Sequence, residues 1–295
     1  MATAEISPKE MTTNRRRSAG DMILWYLCGL ALVLLVVPIV WIIAGVIIRA
    51  VPHFSISSLV QPTVGNGGGM SQAIIGTFTL MVMVAVMAGI AGVGSGIYIS
   101  QFAPRRVGGI LRGAIEVLAG VPSIVAGYVG FIAVAVHFHW GFSIWLAGIA
   151  LSVIVVPYIA KTTELSMRGV PGSYRDGAEA LGMRDVLILR RIMLRAAAPG
   201  MVTGLIMALA ISIGETAPLL YTAGWSTHNP TFSIHNSPVG YLTYLVWTFY
   251  FYPVKSSTYL ATTSAMLLIL IVVGLIVASR FVSRWFSRYL PPGQG

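Results

Sequence analysis

Ser173-Tyr174-Arg175-Asp176-Gly177-Ala178-Glu179-Ala180-Leu181-Gly182 is a charged, small-residue stretch set between two long apolar runs. Ser173 followed three residues later by Asp176 reads as a capping-box-like start, and an acid is favoured at that positive end of a helix. Gly182 supplies the left-handed residue that commonly closes a helix. The spacing predicts a helix of about two turns over 174–181, too short to hold itself in water. It needs something to pack on. A second short helix is expected from about Val186, inside the basic run Arg184 to Arg195. Arg184, Arg191 and Arg195 share one face at helical spacing and suit lipid phosphates. No aromatic platform or binding module accompanies them, so nucleic acid is not an expected partner.

On either side of this stretch the chain is oily. It has 295 residues, 56% hydrophobic and only 9% charged, where a soluble domain carries about a quarter charged. That deficit, with apolar runs near 20 residues long, indicates an all-α polytopic membrane protein. Six transmembrane helices are expected, at about 22–48, 73–99, 110–136, 142–159, 201–221 and 259–279. A polar tail, 1–20, precedes them, loosely held at the surface. The transmembrane domain is taken as 21–290, with the polar segment 161–198 between spans four and five and a short tail at 291–295. Arg15-Arg16-Arg17 precede an apolar run far longer than a signal-peptide core, so the first run reads as an uncleaved span. Cys28 is the single cysteine and lies inside that span. In span two, Gly92 and Gly96 form a small-xxx-small pair that lets helix backbones approach closely.

The Lys and Arg positions orient the spans. Seventeen of the nineteen fall on the side that holds both termini, 101–112 and 161–198, leaving only Arg49 and Lys255 opposite. By the positive-inside rule both termini are cytoplasmic. The net charge of +10 is then explained by topology and anionic headgroups. The segment Val239 to Tyr252, between Pro238 and Pro253, is too short to cross. It is expected to lie at the outer surface with its Tyr and Trp side chains at headgroup depth.

A few polar residues stand out against this background. Glu215, in Gly214-Glu215-Thr216-Ala217-Pro218, is a carboxylate inside an apolar span, which costs at least about 2.5–3.5 kcal/mol. Two readings stand: a structural, hydrogen-bonded Glu, or a pathway or gating residue. A fixed negative charge repels an anion, so it is a poor anion ligand. Pro122-Ser123 and Pro218 free backbone carbonyls that can line a polar path, or simply kink their helices for packing. His137 and His139 lack a third ligand and read as interfacial rather than metal-binding. Glu116 and Glu164 sit near cytoplasmic span ends, solvated or paired with Arg112 and Arg168, each four residues away. No Gly-x-x-x-x-Gly-Lys-Ser/Thr run occurs, so the chain has no means of cradling ATP in the Walker manner. No nucleophile–base set appears either, and any energy source must come from a partner.

Residues 173–199 resemble the cytoplasmic signature loop of permease subunits of ATP-binding-cassette importers. In that family a short helix with an acidic-small-small start and a following Gly docks into a groove on the ATPase subunit. The resemblance implies an ATPase-coupling role for Ser173, Arg175, Asp176, Gly177, Ala178, Glu179, Ala180, Leu181 and Gly182. The small Gly177 and Ala178 would let the helix sit close against its groove. Ile192 and Leu194 match apolar positions downstream; Arg195 stands where the family usually has Pro, and Pro199 follows one turn later.

Gly214-Glu215-Thr216-Ala217-Pro218-Leu219-Leu220 resembles the fifth-span signature of the A-type permease of the high-affinity phosphate importer. Leu118 through Gly127, and Val156-Pro157-Tyr158 through Val170-Pro171, resemble the same subunit. Family members often carry an Arg one turn before the Glu, where this chain has Ile211 and Ser212. The resemblance implies a phosphate permease of the bacterial inner membrane, without cofactor or metal. Its partners would be a homologous permease as heterodimer, two ATP-binding subunits, an external phosphate-binding protein and membrane lipid. Glu215, Thr216, Pro218, Pro122 and Ser123 are the candidates for the translocation pathway or gate. A permease for another oxyanion such as sulfate, molybdate or phosphonate stays open, as does a gradient-driven secondary transporter, whose internal repeats are not found by eye.

Overall fold

The computed structural model describes residues 8–287, with side chains from 21 to 285. Residues 1–7, Arg288 and the expected tail at 291–295 lie outside the described residues. The chain divides into two compact units, the first ending at Arg49 and the second beginning at Ala50.

The first unit is the helix α1, Pro8–Ala50, unbroken although Pro38 lies inside it. The expected loose tail is therefore helical from Pro8 onward. Proline suits a first helical turn, and Lys9 to Arg17 contain neither Gly nor Pro. From Asp21 the helix is long and apolar enough to cross a membrane.

In the second unit, four more segments are long and apolar enough to cross. They are α3 (Ser71–Gln101), α6 (Ile144–Arg168), the stretch Asp185–Gly214, and α12 (Lys255–Ser287). A sixth candidate is a pair, α4 (Arg105–Ala119) and α5 (Ser123–Gly130), the latter continuing through a π-helical turn to Val136. The pair is bent by 95° at its break. Span three is thus a broken element and not the continuous 110–136 helix that was expected. The cause is Gly120-Val121-Pro122: a residue before proline is driven out of the helical region, and proline has no N–H to continue the ladder.

Close helix approach builds the bundle. A Cβ on Gly92 would lie 2.6 Å from the Ile159 Cβ, and one on Gly96 2.6 Å from the Ala160 carbonyl. The expected small-xxx-small pair therefore seats α3 on α6. The stretch from 185 comprises α8 (Asp185–Ile188), a π-helical turn Leu189–Met193, and α9 (Leu194–Gly214). The second short helix expected from Val186 is thus the base of span five. A second seam joins α6 and α9, where a Cβ on Gly204 would overlap the Thr162 hydroxyl and one on Gly200 would overlap that of Ser166. Around these seams Leu80, Val84, Leu151, Val155, Ile159, Ala208 and Leu219 form the main apolar core.

Span five also stops early. After Gly214 the chain turns extended at Glu215, and α10 (Ala217–Thr222) begins beyond it. The 239–252 segment differs from expectation too. Leu242, Leu245 and Phe249 fall on one face of a short helix, α11 (Leu242–Tyr244) extended by a π-helical turn to Phe249, and all three are buried. The Leu242 N–H donates to the Thr77 hydroxyl at 2.9 Å, and a Cβ on Gly76 would overlap the Gly240 carbonyl. The segment is wedged against α3 and α12 by its apolar face, and Trp247, Tyr250, Phe251 and Tyr252 remain outward. Its side chains alternate at helical spacing, and a two-sided element needs a partner on one side.

Candidate functional site

The polar stretch between spans four and five forms α7, Gly172–Ala180. It begins two residues earlier than the Ser173 cap required. Pro171 occupies the cap position, and no side chain caps the helix. Ser173 therefore stands exposed in the first turn, and the capping box is absent. The other end follows expectation: Gly182 has φ +72°. Its N–H donates to the Glu179 carbonyl at 2.9 Å, while the Met183 N–H reaches Ala178 at 3.1 Å. Both bonds satisfy carbonyls that the helix end leaves free.

What α7 packs on is its own chain. Ala178 is 4% exposed and joins Met167, Ile188, Met193 and Ala197 in a separate apolar cluster. Met183, Leu189, Ile192 and Leu194 pad its edge. Ala178 is therefore turned away from any external groove, a correction to the role implied for it. The other eight candidate residues are exposed. Leu181 is 83% exposed, and a Cβ on Gly177 or Gly182 would meet nothing within 4 Å. Arg175 Nε donates to Glu179 Oε1 at 2.7 Å and its Nη2 lies 3.6 Å from Asp185. Hydrogen bonding and charge from Glu179 hold the Arg175 guanidinium above its ordinary pKa. The result is a braced, two-turn knob with small residues and one bare leucine on its outer side.

Just above it, α6 is clamped to α4. Glu164, almost buried, accepts from Arg112 at 2.6 Å and pairs with Arg168 at 2.9 Å. Glu116 pairs with Lys161 at 3.1 Å, across the helix interface and not with Arg112 on its own helix. The i,i+4 spacing identified only the Arg168 partner.

The second group of candidates lies where spans three and five are broken. Pro122 caps α5 and Pro218 sits in the first turn of α10. Each proline starts a half-helix instead of kinking a continuous one. The two half-helices pack together: Tyr128 meets Tyr221 edge-on at 5.7 Å, and Gly127 is buried against Pro218. Glu215 occupies the break itself, with φ −71° and ψ 124°. Its carbonyl accepts from the Thr243 hydroxyl at 3.3 Å. Its side chain is half-buried, not fully buried, and among the described residues no cation or donor pairs with it. Thr216 and Ser123 are half-buried, Pro218 is buried and Pro122 is exposed.

Sequence reasoning passed over Tyr241, which is 1% exposed with no partner for its hydroxyl. It lines a small void beside the break together with Ser212, Thr243 and Thr77. The Gly200/Gly204 seam was missed as well, although its four-residue spacing is the same signal that marked Gly92 and Gly96.

Two broken spans and a braced, exposed helix between spans four and five are the features that stand out. Residues 89–288 match the family described as binding-protein-dependent transport system inner membrane component. A phosphate transport system permease protein PstA 2 of Mycobacterium bovis is 50% identical over 283 residues, covering 96% of this chain and 94% of the relative. The chain belongs to the PstA permease family. A further member, the PstA of Pasteurella multocida, is 31% identical over 81% of this chain and 86% of its own. The permease fold is shared with an inward-facing MetNI methionine ABC transporter, at TM-score 0.59 and 18% identity, covering 74% of this chain and 97% of that one. As an importer permease of this family, the chain is a multi-span membrane subunit that works with ATPase and substrate-binding subunits.

Proposed function

We propose that this chain carries inorganic phosphate inward across the bacterial inner membrane, with both termini in the cytoplasm. It would do so as one half of a heterodimer with a homologous permease, above two ATP-binding subunits and below an external phosphate-binding protein. The observation that carries the coupling half of this reading is α7. Its inner face is spent on the chain's own cluster at Ala178, while Ser173, Asp176, Gly177, Ala180, Leu181 and Gly182 are left exposed. A short rigid helix of that kind passes on a push. Closure of the ATPase pair would shift α7, and the cluster of Met167, Ile188 and Met193 would hand the shift to α6 and α9. The substrate half rests on the phosphate named for relatives at 50% and 31% identity.

Glu215 would act as a gate element and not as a phosphate ligand. It stands half-buried in the break of span five, where among the described residues no cation pairs with it, and a carboxylate repels the substrate. An Arg from the homologous permease would complete the pair across the subunit interface.

Uptake by reconstituted complexes tests the whole reading. ATP-dependent phosphate uptake, competed by phosphate but not by sulfate or phosphonate, is the expected result. Uptake driven by an ion gradient with the ATPase subunits removed would overturn it.

A further inference from the structure

Tyr241 is 1% exposed, and its hydroxyl meets no hydrogen-bond partner. A buried hydroxyl in that position is costly unless something completes it. Ser152 and Thr163 are also buried without a partner. Both lie in α6, where a short side chain can turn its hydroxyl to the carbonyl one turn back. The Tyr241 oxygen stands at the far end of a rigid ring and cannot reach its own backbone. It borders a void of about 10 Å³, the space of one water molecule.

The void sits where five elements meet. Thr77 of α3, Leu151 of α6, Ser212 from the last turn of α9, Leu219 of α10 and Thr243 of α11 line it beside Tyr241. The three short hydroxyls each give their hydrogen to a carbonyl. Thr77 donates to Ala73 at 2.8 Å, Ser212 to Leu209 at 2.9 Å and Thr243 to Glu215 at 3.3 Å. Thr77 also accepts from the Leu242 N–H at 2.9 Å. Each of the three oxygens keeps a lone pair. The lining therefore offers one free donor, three acceptors and no charged group. What fits must accept from Tyr241, donate to its neighbours, be neutral and be as small as the void. Water meets all four conditions, with the three hydrogen bonds usual for a buried one.

We propose that this void binds a single water molecule, which accepts from Tyr241 and donates to Ser212 and Thr243, and that Tyr241 is through it a positioning residue for the break at Glu215. One end of this bridge is fixed to α3, by the Leu242 bond to Thr77 and by Gly240 packed on Gly76. The other end reaches the Glu215 carbonyl through the Thr243 hydroxyl, where span five turns extended. The water keeps Thr243 aimed at that carbonyl and joins it to Ser212, three residues before the break. The inference rests on the gate role given to Glu215 under Proposed function.

The test uses the complete importer in nanodiscs, with ordered waters resolved by electron cryomicroscopy and ATP-dependent phosphate uptake measured alongside. A density peak about 2.5–3.0 Å from the Tyr241 hydroxyl oxygen, lost in Tyr241→Phe, is the expected result. A wild-type map without that peak overturns the proposal. Tyr241→Phe keeps the ring and its packing, and should lower the maximal uptake rate about fivefold, the order of one hydrogen bond, with half-saturation by phosphate unchanged. Tyr244→Phe, whose ring stacks on Trp225, is the control and should transport normally. Thr243→Val removes the far end of the bridge. Because Tyr241 acts through Thr243, the double variant should be no slower than Thr243→Val alone; losses that multiply overturn the positioning role. A peak or rate that changes when sodium replaces potassium overturns the proposal as well, because the occupant is then a cation. Uptake of sulfate or phosphonate in place of phosphate removes the phosphate reading alone, and the same variants are then read on that anion.

Discussion

Gly127 of α5 and Pro218 of α10 touch backbone to backbone. A Cβ on Gly127 would overlap the Pro218 Cα and lie 2.9 Å from its carbonyl oxygen. Neither atom belongs to a flexible side chain that could step aside. The two half-helices are held at the distance of one missing methyl group.

Gly127→Val is therefore expected to push α5 off α10. Overpacking of this kind costs about 1–3 kcal/mol, here at the point where both broken spans resume. Uptake should fall by more than tenfold while the chain still inserts and reaches the membrane fraction. Gly130→Ala, where the nearest neighbours stand at 3.7 Å, is the matched control and should transport nearly normally.

Gly182 gives a different kind of prediction. A Cβ there meets nothing, so the only penalties of substitution are backbone strain, about 1–2 kcal/mol for a left-handed residue, and lost fit to a partner. Gly182→Asp should lower the stimulation of ATP hydrolysis by substrate without affecting insertion. Gly182→Asn, which accepts the left-handed region, separates strain from fit. Normal phosphate uptake in Gly182→Asp counts against docking at this knob.

The two ion pairs that join α4 to α6 should differ in worth. Glu164 is almost buried and serves two guanidinium groups, whereas Lys161 and Glu116 are each more than half exposed. Removing the shared carboxylate leaves Arg112 unpaired at the interface. Glu164→Gln is expected to destabilise by about 1–3 kcal/mol, and Lys161→Ala by less than about 1 kcal/mol. Thermal unfolding in detergent would rank them, and equal shifts would refute the difference.

Glu215→Gln tests the gate. The variant keeps the shape of the side chain and the backbone bond to Thr243, but loses the charge. Expected outcomes are weaker association with the homologous permease and ATP hydrolysis that no longer tracks uptake. If both assembly and transport rate stay at the wild-type level, the carboxylate is structural.

Much of this arrangement is legible in the sequence, and the residues show why the rest is not. Apolar run length set the span positions, since a bilayer demands about 20 residues whatever the partner. Gly92 and Gly96 announced the α3–α6 contact. Gly182 announced the end of α7. The breaks at Gly120-Val121-Pro122 and Glu215-Thr216 lay in quoted stretches, yet proline chemistry alone does not say whether a span bends or divides. That depends on what fills the gap: Pro218 against Gly127, and Thr243 on the Glu215 carbonyl. Ala178 looked like its small neighbour Gly177, and only the cluster around Met167 and Met193 shows that it faces inward. The 239–252 segment was judged on length and aromatics, while its burial depended on Thr77 and Gly76, about 165 residues earlier in the chain.

The right-angle bend between α4 and α5 has a mechanical consequence. Spans three and five are each cut at a joint, and their upper pieces are locked to one another by Gly127, Pro218 and the Tyr128–Tyr221 contact. The two pieces of span three therefore answer to different neighbours: α4 is clamped to α6 through Glu164, and α5 is tied to α10 through Gly127 and Pro218.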